Sequence, residues 1–426
     1  MPQIIFQRRK GTAKFLIMQN EIFYHTLANG IKVVFRRTNS PVAYVGIMVG
    51  AGTRDEQKGE SGIAHFIEHC SFKGTKHRTA KQIINRIEGV GGEINAFTTK
   101  EETTFYAAVP TRYVARATDV LADMVFNSVF PTEEIDKEKQ VVLDEIESYN
   151  DSPSELIFDD FENLIFSGNP LQNPILGTRR SVNSLSQKKN TAFVKREYAT
   201  DRMVYFVQGS LKQQQIIACA EKFLAYSPLI QSATTKRIVP DTYTKSEVAY
   251  HKHTHQTHVM LGARAYPIGD KKQISLYLLN QILGGGSLNS KLNLSLREDE
   301  GLVYGVESIY SPMSDTGYWA VYLASEPQHI DQCLSIVYKQ LEAFRTKPLS
   351  SGTLYAWIRQ IKGNLAIAAE NQENNAIAMA KNMLYLNYAP SWQEQWQALS
   401  EINSTDLLNV ANEMFDPQKI SLLKYC

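Results

Sequence analysis

Cysteine is scarce in this 426-residue chain. Cys70, Cys219, Cys333 and Cys426 stand far apart, form no CxxC pair and are too few for a disulfide scaffold. No apolar run approaches the roughly 18–20 residues that a membrane span requires. An excess of either charge is missing too. Forty-five Lys and Arg face 44 Asp and Glu for a formal charge of +1, so there is no electrostatic footprint for nucleic-acid binding. No low-complexity tract or coiled-coil run stands out. What remains, 43% hydrophobic and 21% charged, is the composition of an ordinary globular protein. At roughly 100–200 residues per domain the length suggests two to four compact units.

The N-terminus is mildly basic, with Arg8, Arg9, Lys10 and Lys14 preceding the first acidic residue, Glu21. Ala13–Met18 is too short for the apolar core of a secretory signal and carries a lysine, and the stretch is poor in serine. It reads as a surface extension of a cytoplasmic protein, with periplasmic or mitochondrial placement left open.

One plan of elements occurs twice. Strand-like Val42–Val49 leads through Gly52-Thr53-Arg54-Asp55 to a helical segment around Ile63–Phe72. His258–Ala263 leads likewise through Pro267-Ile268-Gly269-Asp270 to Ile274–Leu283. Each half returns with an aromatic-rich strand, Thr103–Val109 or Tyr318–Ala324, and then a long amphipathic helix, Val114–Ser128 or Ile330–Phe344. A duplication is the natural explanation. Ser227–Ser246, polar and proline-containing, reads as the linker, giving domains at 20–228 and 245–426. Irregular spacing and the alternation in Thr103–Val109 predict mostly antiparallel sheets with helices stacked on them, an α+β fold.

The sharpest local signal is His65-Phe66-Ile67-Glu68-His69. On a helix, residues four apart share a face, so both imidazoles can meet one ion, and Glu68 projects beside them. The chain's own composition makes such a match by chance about 0.02 times. A catalytic zinc needs a third protein ligand and an open position. Pro131–Asn150 reads as a helix with an apolar stripe through Ile135, Val142, Ile146 and Tyr149, and Glu138 and Glu145 fall within that stripe two turns apart. Carboxylates on a buried face either meet a cation or snorkel toward arginines. Beside the histidine helix, ligation of a metal is the better account.

His65-x-x-Glu68-His69 with Glu145 downstream resembles the inverzincin signature of the pitrilysin/insulinase family of zinc metallopeptidases. Other stretches agree: Gly46–Asp55 with Gly62, Phe72-Lys73-Gly74-Thr75, Gly91-Gly92-Glu93-Ile94-Asn95-Ala96-Phe97-Thr98, and Leu296-Arg297-Glu298-x-x-Gly301-Leu302-x-Tyr304. The resemblance runs from Glu21 to the C-terminus and is closest to the short members similar to mitochondrial processing peptidase. It implies two homologous domains of the LuxS/processing-peptidase-like metallohydrolase fold and one Zn²⁺ per chain held by His65, His69 and Glu145. Glu68 would be the general base, and Glu138 would support the site from outside the ligand set. Arg297 and Tyr304 would help position the substrate, and Asn95, Ala96 and Phe97 would receive it as an added strand. Leu279–Leu283 occupies the place of the zinc motif in the second half and offers no ligand. Cys70 reads as core, because a fourth protein ligand would close the site.

The expected function is zinc-dependent endopeptidase action on short or unfolded peptides, with a homodimer as the simplest assembly and a heterodimer with an inactive homologue as the other. The alternative is a non-catalytic scaffold or partner subunit of a processing-peptidase-like complex; such members typically lose part of the motif, which is whole here. A third possibility is a metal-binding module on the tract His251, His253, His255 and His258. Alternation would put its first three residues on one strand face, and a plain exposed strand is the simpler reading.

Overall fold

The computed structural model describes residues 22–227, 237–240, 243–252 and 254–426. The basic N-terminal segment, most of the linker and His253 lie outside them. In the first half the strands are β1 (Ile22–Thr26), β2 (Lys32–Arg37), β3 (Val42–Val49), β4 (Glu93–Thr98), β5 (Thr103–Pro110) and β6 (Met203–Gly209). They form one sheet in the order β1-β2-β6-β3-β5-β4, antiparallel except for the β2–β6 pair. The helices are α1 (Ile63–Ser71), α2 (Ala80–Glu88), α3 (Val114–Asn127), α4 (Thr132–Asn150), α5 (Pro153–Ile165), α6 (Arg179–Asn183), α7 (Gln187–Glu197) and α8 (Gln213–Leu224).

The second half repeats this design. Strands β7 (Glu247–Tyr250), β8 (Thr257–Arg264), β9 (Val306–Pro312), β10 (Gly317–Ser325) and β11 (Ser421–Tyr425) pair as β7-β11-β8-β10-β9, again with one parallel contact, β7–β11. Its helices are α9 (Gln273–Gly284), α10 (Ile330–Thr346), α11 (Ser351–Ala368), α12 (Gln372–Leu386), α13 (Trp392–Glu401) and α14 (Ser404–Met414). The strand–helix–strand–helix repeat therefore stands as β3–α1–β5–α3 and β8–α9–β10–α10. α9 ends at Gly284, where the glycine run stops it.

Both faces of each sheet are covered, and period two decides which residue goes where. On β2 and β6, Val33, Phe35, Tyr205 and Val207 enter the main core with α1, α3 and α8. Their neighbours Val34, Val204 and Phe206 face the other way, onto Ala376, Met379, Ala380 and Met383 of α12. On the second sheet Val259, Leu261, Trp319 and Val321 pack with α9, α10 and α14. Met260, Tyr318, Ala320 and Leu423 instead meet Ile157, Phe161 and Ile165 of α5. Each half thus lends one helix to the outer face of the other half's sheet.

The linker is more than a solvated tether. The half-buried Arg237 guanidinium lies against Asp55 (2.8 Å) and Glu101 (3.0 Å). The Ile238 carbonyl accepts from Arg54 Nη2 at 2.7 Å and from Asn169 Nδ2 at 2.9 Å. The histidine tract also differs from expectation. β7 stops at Tyr250 and β8 starts at Thr257, so His251 and His255 lie in the connection and share no strand face. His258, within β8, spends Nδ1 on the Tyr322 hydroxyl at 2.9 Å.

Candidate metal centre

Gly62 stands immediately before α1, and its φ of 85° is a left-handed conformation that side chains disfavour. No side chain of the helix caps it. The buried Glu56 carboxylate does so from the preceding loop, accepting from Gly62 N (3.0 Å) and Ala64 N (3.1 Å). Ile63, Phe66, Ile67 and Cys70 bury one side of the helix in the main core. That packing turns His65 and His69 toward α4.

Pro131 precedes α4, Glu133 and Glu134 sit in its first turn, and Ile135 and Val142 seat its stripe in the same core. Glu138 and Glu145 are carried on that side. His65 Nε2 lies 3.8 Å and His69 Nε2 3.6 Å from Glu145 Oε2. The ligand atoms of the three residues all fall within 4.8 Å of one another, the only such group found among the described residues. Donor atoms of a tetrahedral zinc site, about 2.0–2.2 Å from the ion, lie about 3.3–3.6 Å apart, so this donor set fits zinc with little movement.

The protonation states fit as well. Burial, reinforced by the neighbouring His69, pushes the His65 imidazole down to about 3, so it is neutral at physiological pH as a ligand must be. His69 turns its other nitrogen, Nδ1, to Glu138 Oε2 at 3.3 Å. Glu138 is itself buried and paired through Oε1 with Lys73 Nζ at 2.7 Å. This carboxylate–histidine arrangement fixes the ring and its tautomer. Glu145 keeps a side chain 42% exposed, which leaves one side of the site open to solvent.

Glu68 stands beside the cluster and is buried. Burial raises its carboxyl above the usual range, Glu145 adds to the rise, and the Thr98 hydroxyl and His69 oppose it. Thr98 Oγ1 donates to Glu68 Oε2 at 2.7 Å. Cys70, one position beyond His69, is buried with its thiol pushed up to about 12, chiefly by burial and then by Glu138, so it is a core residue and no thiolate.

Lys73 and Thr98 fall in stretches that carry the resemblance but had no expected role at the site, and Glu56 was not singled out at all. Lys73 had a readable signal, four positions after His69. Glu56 and Thr98 had none, because their partners are set by tertiary contacts.

The structure brings His65, Glu68, His69, Glu138 and Glu145 together. Asn95, Ala96 and Phe97 lie on β4, the edge strand whose outer side pairs with nothing among the described residues. Asn95 is exposed, Ala96 leans on the main core, and Phe97 packs edge-on against Tyr106, 6.2 Å between centroids. Among the described residues no hydrogen bond or ion pair joins Arg297 or Tyr304 to the cluster, and Arg297 lies 3.5 Å from Glu298. Arg297 sits in a π-helical turn, Asn293–Glu298, and Tyr304 is 90% exposed.

Two family models match this chain in succession. The insulinase model (peptidase family M16) covers residues 32–179, a span that includes His65, His69 and Glu145, and the M16 inactive-domain model covers 184–361. An uncharacterized zinc protease, YmxG, of Bacillus subtilis is 31% identical over 394 residues, spanning 92% of this chain and 95% of its own. The chain belongs to peptidase family M16. A further relative, an uncharacterized zinc protease of Rickettsia felis, is also 31% identical over 394 residues, 91% of this chain and 94% of that one. Among solved structures, a protease from Helicobacter pylori superposes with a TM-score of 0.88 at 22% identity, covering 95% of this chain and 99% of that one. An M16 inactive domain from Pseudomonas fluorescens gives 0.86 at 19%, covering 95% and 97%. These two show that the M16 fold is shared.

Proposed function

We propose that the protein is a zinc-dependent endopeptidase that hydrolyses short or unfolded peptides. The observation that carries this reading is the convergence of His65 Nε2, His69 Nε2 and Glu145 Oε2 with the Glu68 carboxylate beside them. Those three atoms would hold one ion per chain, and Glu138 would keep the His69 ring in register. When bound, zinc supplies a Lewis acid that acidifies water and polarises a carbonyl. Glu68 takes a proton from the attacking water as the new C–O bond forms. It returns that proton to the amine nitrogen as the C–N bond breaks. Its raised affinity for protons suits a group that must both accept and donate.

The free edge of β4 supports the rest of the reading. An extended peptide can add along it, with Asn95, Ala96 and Phe97 as the receiving residues. Residues 20–228 would be the metal-carrying domain, and 245–426 a homologous domain bearing Arg297 and Tyr304. Tyr304, exposed and without a hydrogen-bond partner among the described residues, is available to a substrate carbonyl. The simplest assembly is a homodimer in which these side chains face a second copy's metal centre, and an inactive homologue could fill the same place.

Peptide cleavage by wild type and by Glu68→Gln, with and without a chelator, tests the mechanism. Wild type is expected to lose activity to the chelator and regain it with zinc, and Glu68→Gln to lose at least about 100-fold. Wild-type rates in Glu68→Gln would overturn the assignment.

A further inference from the structure

Between β4 and β5 the chain runs Thr98-Thr99-Lys100-Glu101-Glu102-Thr103. Lys100, Glu101 and Glu102 are exposed by only 5%, 3% and 2%. Three consecutive buried charges are costly unless each is paired and hydrogen-bonded. Each is paired, and each with a different part of the molecule. Lys100 Nζ donates to the Asn173 carbonyl (2.6 Å) and lies 3.1 Å from Glu162 of α5. Glu101 accepts from Arg54 (2.6 Å) and from Arg237 of the linker (3.0 Å). It also accepts from the backbone N–H (2.7 Å) and hydroxyl (2.5 Å) of Ser314, in the hairpin between β9 and β10. Glu102 meets Lys381 (2.8 Å) and the Tyr385 hydroxyl (2.5 Å), both on α12. Two of the three anchors thus reach into the second half of the chain.

The turn is also locked to the loop that precedes the metal helix. Thr53 N donates to the Thr99 carbonyl and Arg54 N to that of Lys100. A Cβ on Gly52 would come within 2.4 Å of the Thr99 oxygen, so the approach is as close as a backbone allows. Just before the turn stands Thr98, on the same face of β4 as Ile94 and Ala96. Its hydroxyl makes the only hydrogen bond to the Glu68 carboxylate among the described residues. β4 is an edge strand that pairs with β5 alone, and beyond its packing on α1 and α2 the anchored turn fixes the end that carries Thr98.

We infer that Thr98 is a positioning residue that holds the Glu68 carboxylate, and that the second half of the chain fixes Thr98 through the buried turn Lys100–Glu102. The inference rests on the reading of Glu68 as general base. The hydroxyl occupies Oε2 and leaves Oε1 for the proton of the reacting water. Lys381 and Tyr385 act at one remove, by setting where β4 ends.

The test is steady-state peptide cleavage by the zinc-loaded full chain, with zinc content and Tm measured on every variant. Thr98→Val, which keeps the shape and removes the donor, should lower kcat by about 10- to 100-fold, the loss expected from one hydrogen bond to a charged group. KM and zinc content should stay as in wild type, and Thr98→Ser should restore most of the rate. An unchanged kcat in Thr98→Val, or a loss explained by missing zinc or a collapsed Tm, overturns the positioning role. Tyr385→Phe, remote from the metal, should lower kcat by about threefold, within the range that coupled residues produce. In the Thr98→Val background it should add nothing. No loss in wild type, or the same loss in both backgrounds, overturns the link through the second half. A wild type that cleaves no peptide rejects the endopeptidase reading and this inference with it, whereas normal wild-type cleavage with an unaffected Thr98→Val rejects this inference alone.

Discussion

The His69 ring is held from both sides, by Glu145 at Nε2 and by Glu138 at Nδ1, and Glu138 is tied in turn to Lys73. A ligand whose second nitrogen meets a carboxylate is a better donor and loses less entropy on binding. Glu138→Gln should therefore weaken zinc binding by about 10- to 100-fold while leaving the fold intact. Competition against a chromogenic chelator measures this, and a wild-type dissociation constant would remove Glu138 from the site. The i,i+4 histidines and the i,i+7 carboxylates were legible in the sequence because helical periodicity alone puts each pair on one face. Thr98 and Glu56 were not legible. A threonine at a strand end and a glutamate in a loop look like any others until their partners are known.

α5 and α12 follow corresponding helices, α4 and α11, in the two halves, yet each crosses to the other half's sheet. Their apolar stripes predict burial without saying against what. The crossing of α5 has a consequence for pH dependence. Asp159 is pushed up to about 6, mainly by burial, with Glu162 and Asp160 adding to the rise and Lys100 opposing it. The folded state then holds this proton more tightly than the unfolded chain. The stabilisation is full below the usual aspartate value near 4 and is lost as the pH rises through about 6. Asp159→Asn, neutral at every pH, should raise Tm at pH 7.5 by about 1–3 °C, what ~1 kcal/mol yields in a chain this long. Thermal melts at pH 7.5 and pH 5 check the sign. A gain of equal size at both would refute it.

At the scale of the molecule, two helices exchanged between halves and a largely buried ionic network of Arg54, Glu101, Arg237 and Asp315, the last two half-buried, join the two sheets. No helix among the described residues is long and apolar enough to cross a membrane. The proposed homodimer makes a prediction at this scale. Light scattering should give twice the chain mass at working concentration, and Tyr304→Phe should lower peptide turnover without changing that mass. A fully active monomer would exclude the dimer. The duplicated order of elements could be read directly from the chain, because strand and helix periods are local. The linker's insertion of Arg237 between Asp55 and Glu101 could not, since its polar composition reads equally well as a solvated tether.

Spacing in the chain was enough to bring out the histidine helix, the carboxylate helix that faces it and the repeated order of elements. Each of these depends on residues within a few turns of one another, where backbone geometry sets the distance. Which sheet α5 and α12 cover, how three adjacent charges are neutralised, and what orients Glu68 were decided by folding. These contacts join residues far apart in the chain, and side-chain pattern reports that a group is buried without reporting its partner.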